Sequence, residues 1–159
     1  DLWYLKLWMG QDYDSRVGLV SDKESALQVS TRISSSGAAP KVIAIQARDH
    51  TLIRHFPVDC VINIASMQEM DPPAIAGYFE DMRLIARERK LIFYCANREE
   101  KRLPDGTVTR FREYPWMATD KILEDGLCPW HQSFYTRTPP FYRPYDGPIW
   151  HRLAEMAGA

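Results

Sequence analysis

The sequence predicts one α/β layer structure with a mixed sheet, and three observations carry that expectation. Two apolar runs of strand length, residues 58–64 (VDCVINI) and 90–96 (KLIFYCA), flank a single helical segment. An apolar run, a helix and a second apolar run make the βαβ pattern of a parallel sheet. Each run ends in a polar cluster, Ala65-Ser66-Met67-Gln68-Glu69-Met70 and Asn97-Arg98-Glu99-Glu100-Lys101. Parallel sheets bind ligands just beyond the carboxyl ends of their strands, so the two tips are expected side by side in a crevice. Farther on, Pro104-Asp105-Gly106 is turn chemistry, which adds an antiparallel hairpin to the parallel core.

Each element has its own signal. Residues 1–16 are apolar at Leu2, Trp3, Leu5, Leu7, Trp8 and Met9, the spacing of a short amphipathic helix with Gly10 near its end. Ser21-x-x-Glu24 is a capping box that opens a helix over 22–34. Ser34-Ser35-Ser36-Gly37 and then Pro40 stop it. Residues 41–46 (KVIAIQ) read as a buried strand. In the helix between the two apolar runs, Asp71 is the N-cap and Pro72 fits the first turn; Ile75, Phe79, Met82, Ile85 and Ala86 form one apolar face. The hairpin pairs residues 101–103 with 108–111. Residues 118–125 read as a short helix ended by Gly126. Residues 131–137 and 148–154 read as an antiparallel pair around a Pro-rich excursion at 138–147. The chain is expected to be a single domain, with a helical lead-in at 1–40, a parallel βαβ core at 41–97, and a hairpin with an aromatic, Pro-rich part at 98–159.

With 159 residues the chain can bury a sizeable core. A net charge of −1 gives no electrostatic reason to expect nucleic acid or an anionic membrane as partner. No apolar run approaches the roughly 20 residues of a membrane helix. Three cysteines, Cys60 and Cys95 in strands and Cys128 apart, read as reduced structural thiols, which points to a cytoplasmic location. Five Trp, eight Tyr, six Phe and eleven Pro crowd toward the last third. Their rings either supply core where regular structure is scarce or form a surface for sugars and other amphipathic small molecules. Cys128-x-x-His131 has no second Cys/His pair at metal-site spacing, so no metal is expected.

Residues 58–152 are more specific. VDCVINIASMQEM, FYCANREEKRLPDGTVTRFREYPW and DGLCPWHQSFYTRTPPFYRPYDGPIWHRLA, in this order, resemble a family of sugar O-methyltransferases. These belong to the class I S-adenosylmethionine-dependent methyltransferases, which have a Rossmann-like, mainly parallel sheet with flanking helices. The resemblance implies S-adenosylmethionine as cofactor and a sugar or nucleotide-sugar precursor as substrate. The Gly-rich loop that such enzymes place after their first strand is missing here: Gly10, Gly18 and Gly37 stand isolated. The opening DLWYL is similar to the segment after the second strand, with Asp1 at the ribose-binding position. On that reading the chain is the latter part of a methyltransferase lacking its first strands. Its sheet would then have an exposed edge that favours association, including homo-oligomers.

The resemblance also assigns residues. Asp49, after the strand at 41–46, would accept a hydrogen bond from the adenine amino group, against the plainer reading of an exposed loop carboxylate. Ser66 lies where cofactor and acceptor meet. Glu69 would orient or deprotonate a sugar hydroxyl, or simply assist the N-terminus of the following helix. Asn97 and Arg98 offer amide and guanidinium donors to hydroxyls or a carboxylate, and Arg98 can alternatively pair with surface glutamates. Asn63, polar inside an apolar strand, is expected to bridge neighbouring backbone. His131 is the candidate base, with His151 and His50 as further imidazoles. Tyr114 and Trp116 are candidate substrate walls, with core packing as the competing role. A non-catalytic binding module on a partial methyltransferase fold is the alternative function. A nicotinamide-dependent dehydrogenase lacks its glycine fingerprint, and a glycosyltransferase lacks an Asp-x-Asp motif.

Overall fold

In the computed structural model, which describes residues 2–35 and 40–158, the apolar spacing of the opening residues forms two helices, α1 (Leu2–Met9) and α2 (Tyr13–Arg16), joined by a 3-10 turn at Gly10–Asp12. They belong to the first of two compact units, which divide the chain after Pro57. A strand that the sequence reading passed over follows directly: β1 (Val17–Val20). The helix α3 (Lys23–Ser34) begins one residue later than expected. Its capping box is made by Asp22 and Ser25, not by Ser21 and Glu24: the Asp22 carboxylate accepts from the Ser25 N–H at 2.8 Å, and the Ser25 hydroxyl accepts from the Asp22 N–H at 3.1 Å. Asp22 is extended (φ −157°), as a cap requires. The strand β2 (Val42–Ile45) pairs parallel with β1. Gly18 in β1 lets α3 approach closely, since a Cβ there would meet the Val29 methyl groups at 3.2 Å. Beyond β2 the chain runs through a 3-10 segment, Ala47–His55, kinked at Asp49.

The second unit, from Val58 on, holds the βαβ element. β3 (Cys60–Ile64) and β4 (Ile92–Arg98) pair parallel, with Cys60 opposite Ile92 and Ile64 opposite Ala96. Between them α4 (Pro72–Ala86) is capped by Asp71, whose carboxylate accepts from the Ala74 N–H at 2.8 Å, and it buries Ile75, Phe79, Met82 and Ile85. The hairpin forms as β5 (Glu100–Arg102) and β6 (Val108–Arg110). Residues expected as a helix near 118–125 are instead the strand β7 (Lys121–Leu127). The antiparallel pair also changes partners. β8 (Ser133–Tyr135) pairs with β9 (Tyr142–Pro144), while β10 (Ile149–Glu155) pairs with both β4 and β7. Ladder partners overrule local propensity here, because strand preference reflects cross-strand packing more than the backbone.

The main sheet has the order β3-β4-β10-β7. The protein is therefore mixed α/β with several small sheets. Of the six described pairings only β1–β2 and β3–β4 are parallel. The core of the second unit is aromatic: Phe79 and Trp116 meet edge to face at 5.0 Å, Phe93 stacks on Trp116 at 5.6 Å, and Phe111 and Tyr114 close the cluster. A buried ion pair between Arg83 and Asp120 ties α4 to the segment before β7. β3 is an edge strand of its sheet, with Ile62 at 66% and Ile64 at 50% exposure. All three cysteines are free; Cys95 and Cys128 are buried, but Cys60 is exposed rather than buried as expected. No helix among the described residues is long and apolar enough to cross a membrane.

Candidate functional site

The two polar tips do lie side by side, and a hydrogen-bond network joins them. After Ile64 the chain turns at Ala65, which takes a left-handed φ of 56°, a conformation that costs a non-glycine residue energy. The Ala65 N–H still donates to the Ala96 carbonyl at 2.8 Å, so the strained turn is anchored to β4. A 3-10 turn, Met67–Glu69, follows. The Asn63 side-chain oxygen accepts from the Met67 N–H at 3.2 Å and from the Asn97 amide at 2.9 Å, while its own amide donates to the Ser66 hydroxyl. Asn97 is fully buried, and its oxygen accepts from the Gln68 N–H at 3.1 Å. The Gln68 side-chain oxygen in turn accepts from the Arg98 N–H at 2.7 Å, and the Gln68 carbonyl accepts from the Thr109 hydroxyl at 3.2 Å. Asn63, Gln68 and Asn97 thus satisfy one another, as buried polar groups must.

Glu69 leaves this network toward solvent. It pairs with Lys101 at 3.2 Å and accepts from the Gln68 amide at 3.2 Å. Burial acts to raise its carboxyl, but the hydrogen bonds from Gln68 and Lys101 and the charges of Lys101 and Arg98 outweigh that and hold it below the usual carboxylate range. A carboxylate so stabilised is a weak base and a good acceptor.

The opposite side of the same edge is built by the returning strand. Register places Ile149 opposite Arg98 and Trp150 opposite Leu127, which brings the segments around 128–132 and 145–148 to the carboxyl ends of β4 and β7. Gln132 fixes them: its amide donates to the carbonyls of Cys128 (2.7 Å) and Ile149 (2.8 Å), and its oxygen accepts from the Ile149 N–H at 3.1 Å. The Tyr145 N–H donates to the Gln132 carbonyl at 3.1 Å, extending the β8–β9 ladder. His131 consequently stacks on Tyr145, with centroids 5.1 Å apart and planes inclined by 19°. The Arg98 guanidinium lies 5.8 Å from the same ring. Among the described residues only two buried side-chain polar atoms lack a hydrogen-bond partner, Arg98 Nε and His131 Nε2. Both belong to residues packed on Tyr145. Arg98 also lines a cavity of about 640 Å³ between the β5–β6 hairpin and the turn at Asp146-Gly147-Pro148.

Other expected residues fall elsewhere. Tyr114 and Trp116 do not line that cavity; they pack in the aromatic core, where burial raises the Tyr114 phenol and the Trp116 indole donates to the Phe111 carbonyl at 3.0 Å. Tyr114 also borders a smaller apolar cavity of about 280 Å³ beside Pro72 and Ile75. Ser66 is exposed at the β3 tip. Asp49 lies in the first unit, half-buried, with its carboxylate 3.5 Å from Arg48 Nε. Asp1 lies outside the described residues. His151 is buried, its Nδ1 3.3 Å from the Tyr94 hydroxyl. The late aromatics divide: some are core, whereas Trp130, Tyr135 and Tyr142 are exposed. Gln132 and Asp146 were not singled out from the sequence, and Tyr145 only as one of the aromatic residues that crowd the last third. The only signal was their proximity to His131 and the Asp-Gly-Pro turn. No group of three or more His, Cys, Asp or Glu among the described residues is placed to hold a metal ion.

Comparison of the chain with protein-family models, curated proteins and solved structures finds no match.

Proposed function

We propose that the carboxyl edge of the four-stranded sheet is the acceptor side of an S-adenosylmethionine-dependent methyltransferase that acts on a sugar hydroxyl. One observation carries the reading: the β3–α4–β4 unit and the reversed strand β10 bring Ser66, Glu69, Arg98, His131 and Tyr145 to one edge. The sequence resemblance over 58–152 supports the chemistry. A Rossmann-like class for this sheet draws support from strand direction. β10 is antiparallel to both β4 and β7, so β3, β4 and β7 run the same way. A reversed strand near one edge is common in doubly wound sheets.

When bound, S-adenosylmethionine supplies an electrophilic methyl group on its sulfonium. Ser66, exposed at the β3 tip, is the described residue of this edge that would hold it. The acceptor hydroxyl must be aligned and must lose its proton. Glu69, held ionised and weakly basic, fits alignment by accepting the hydroxyl hydrogen bond. His131, whose Nε2 has no hydrogen-bond partner among the described residues, fits the base, since imidazole is the side chain suited to proton transfer near neutral pH.

A second reading, a non-catalytic sugar-binding module, is favoured by the saturation of Asn63, Gln68 and Asn97 by one another. Calorimetric titrations of S-adenosylmethionine and of a sugar into the chain separate the two. Binding of both is expected. A flat cofactor titration, with sugar binding retained, would establish the binding module instead.

A further inference from the structure

The cavity beside Arg98 is lined by cations and carboxylates, and most of them neutralise one another. Arg110 pairs with Glu100 at 2.8 Å and with Glu113 at 3.2 Å. Arg112 pairs with Glu99 at 3.5 Å and lies 4.4 Å over the Trp150 ring. Lys101 is taken by Glu69, and Arg102 donates to the Gly106 carbonyl at 3.3 Å near the hairpin turn. Arg98 is different. No carboxylate forms an ion pair with it among the described residues, although its charge acts on Glu69; its Nε is buried without a partner, and its guanidinium lies 5.8 Å from the Tyr145 ring. Its backbone is meanwhile fixed, because its N–H donates to buried Gln68.

A partly desolvated guanidinium with unmet donors is costly in a finished structure. The same group, held at the wall of a concave site, is suited to a two-oxygen anion, which its planar fork binds in a bidentate manner. A neutral hydroxyl leaves the charge uncompensated. We propose that Arg98 is the anion anchor of this cavity, so that the sugar it takes carries a carboxylate or a phosphate. In this form the inference rests on the sugar-binding reading above and names its substrate class: an acidic sugar, held by its anionic group at Arg98 while a hydroxyl is presented toward Glu69 and His131. The stacked Tyr145 ring holds the guanidinium in place and leaves its edge donors free for oxygen.

The test compares three ligands that share one ring: glucuronate, glucose 1-phosphate and glucose. Each is titrated calorimetrically into the wild-type chain, Arg98→Gln, Arg98→Lys and, as a control outside the cavity, Lys90→Gln, which removes only the pair with Glu155. At least one anionic sugar should bind the wild type while glucose does not. Arg98→Gln should weaken that binding about tenfold or more, as loss of a charged hydrogen-bond pair does. Lys90→Gln should bind as the wild type does. Arg98→Lys keeps the charge without the fork and should fall between; it serves as the readout if Arg98→Gln does not fold. Binding of glucuronate alone identifies a uronate, and binding of glucose 1-phosphate alone a phosphorylated sugar. Glucose binding as well as the anions, no binding by either anion, or undiminished binding by Arg98→Gln overturns the proposal. None of these titrations contains S-adenosylmethionine. Failure here with cofactor binding intact therefore removes the anion anchor alone, and the converse removes methyl transfer alone.

Discussion

Asn97 and Arg98 are neighbours at the end of one strand, yet they belong to opposite halves of the site. Successive side chains of a strand point to opposite faces. Asn97 turns inward and spends its oxygen on the Gln68 N–H and its amide on Asn63. Arg98 turns toward Tyr145 and the cavity, with a buried nitrogen that has no hydrogen-bond partner among the described residues. Polar residues at a strand tip are thus of two kinds. Those that satisfy one another hold the edge together, and those left unsatisfied are the ones a ligand can complete.

The comparison can be broken by substitutions on each side, and the Arg83–Asp120 pair sets its scale. Asp120 accepts from Arg83 and from the N–H groups of Met117 (2.9 Å) and Ala157 (3.0 Å). Asp120→Asn leaves the guanidinium buried without a counter-charge and should cost about 3–5 kcal/mol in urea unfolding. Burial acts to raise the Asp120 carboxyl, but Arg83 and the two backbone donors hold it below its ordinary value of 3.8. The stabilisation it provides is complete above that value and is lost as pH falls below it toward the folded value. Acid unfolding monitored by circular dichroism should accordingly be less steep below pH 4 in Asp120→Asn.

Asn97→Ala should come next, at about 2–3 kcal/mol, because it leaves the buried Gln68 N–H without an acceptor and removes one of the donors to Asn63. Thermal unfolding measures it. Arg98→Gln, one residue away, should cost under about 1 kcal/mol by the same measurement, since it removes only a partly exposed contact with an aromatic face. If the two costs were equal, the division of the edge into a structural and a ligand-binding half would be wrong. The smallest effect is expected of Glu69→Gln. An exposed pair with Lys101 contributes at most about 1 kcal/mol, so any larger change it makes should be in turnover and not in unfolding.

Much of the frame was legible in the residues. Asp71 and Pro72 marked α4, the apolar runs marked β3 and β4, and Pro104-Asp105-Gly106 marked the hairpin, because each signal is local. Residues 118–125 were read as a short helix ended by Gly126, and the distant partner β10 makes the segment a strand that runs through that glycine. The partners of β8 and β10 were likewise set by pairing that no short window contains. The site followed the same rule. Asn97 and Arg98 were both named as donors to a substrate, but their roles part through Gln68, packed beneath the β3 tip, and Tyr145, which the hairpin β8–β9 delivers. Tyr114 and Trp116 were named with them and proved to be core, since aromatic residues serve packing and pockets alike.

The most direct test of the division is nuclear magnetic resonance on the wild-type chain with glucuronate and glucose 1-phosphate added in turn. The side-chain amide of Asn97, the Arg98 Nε–H and the ring protons of His131 report on the two halves separately. Addition of the anionic sugar that binds should shift the Arg98 and His131 signals and leave the Asn97 amide in place. Movement of the Asn97 amide with Arg98 and His131 unchanged would contradict the account.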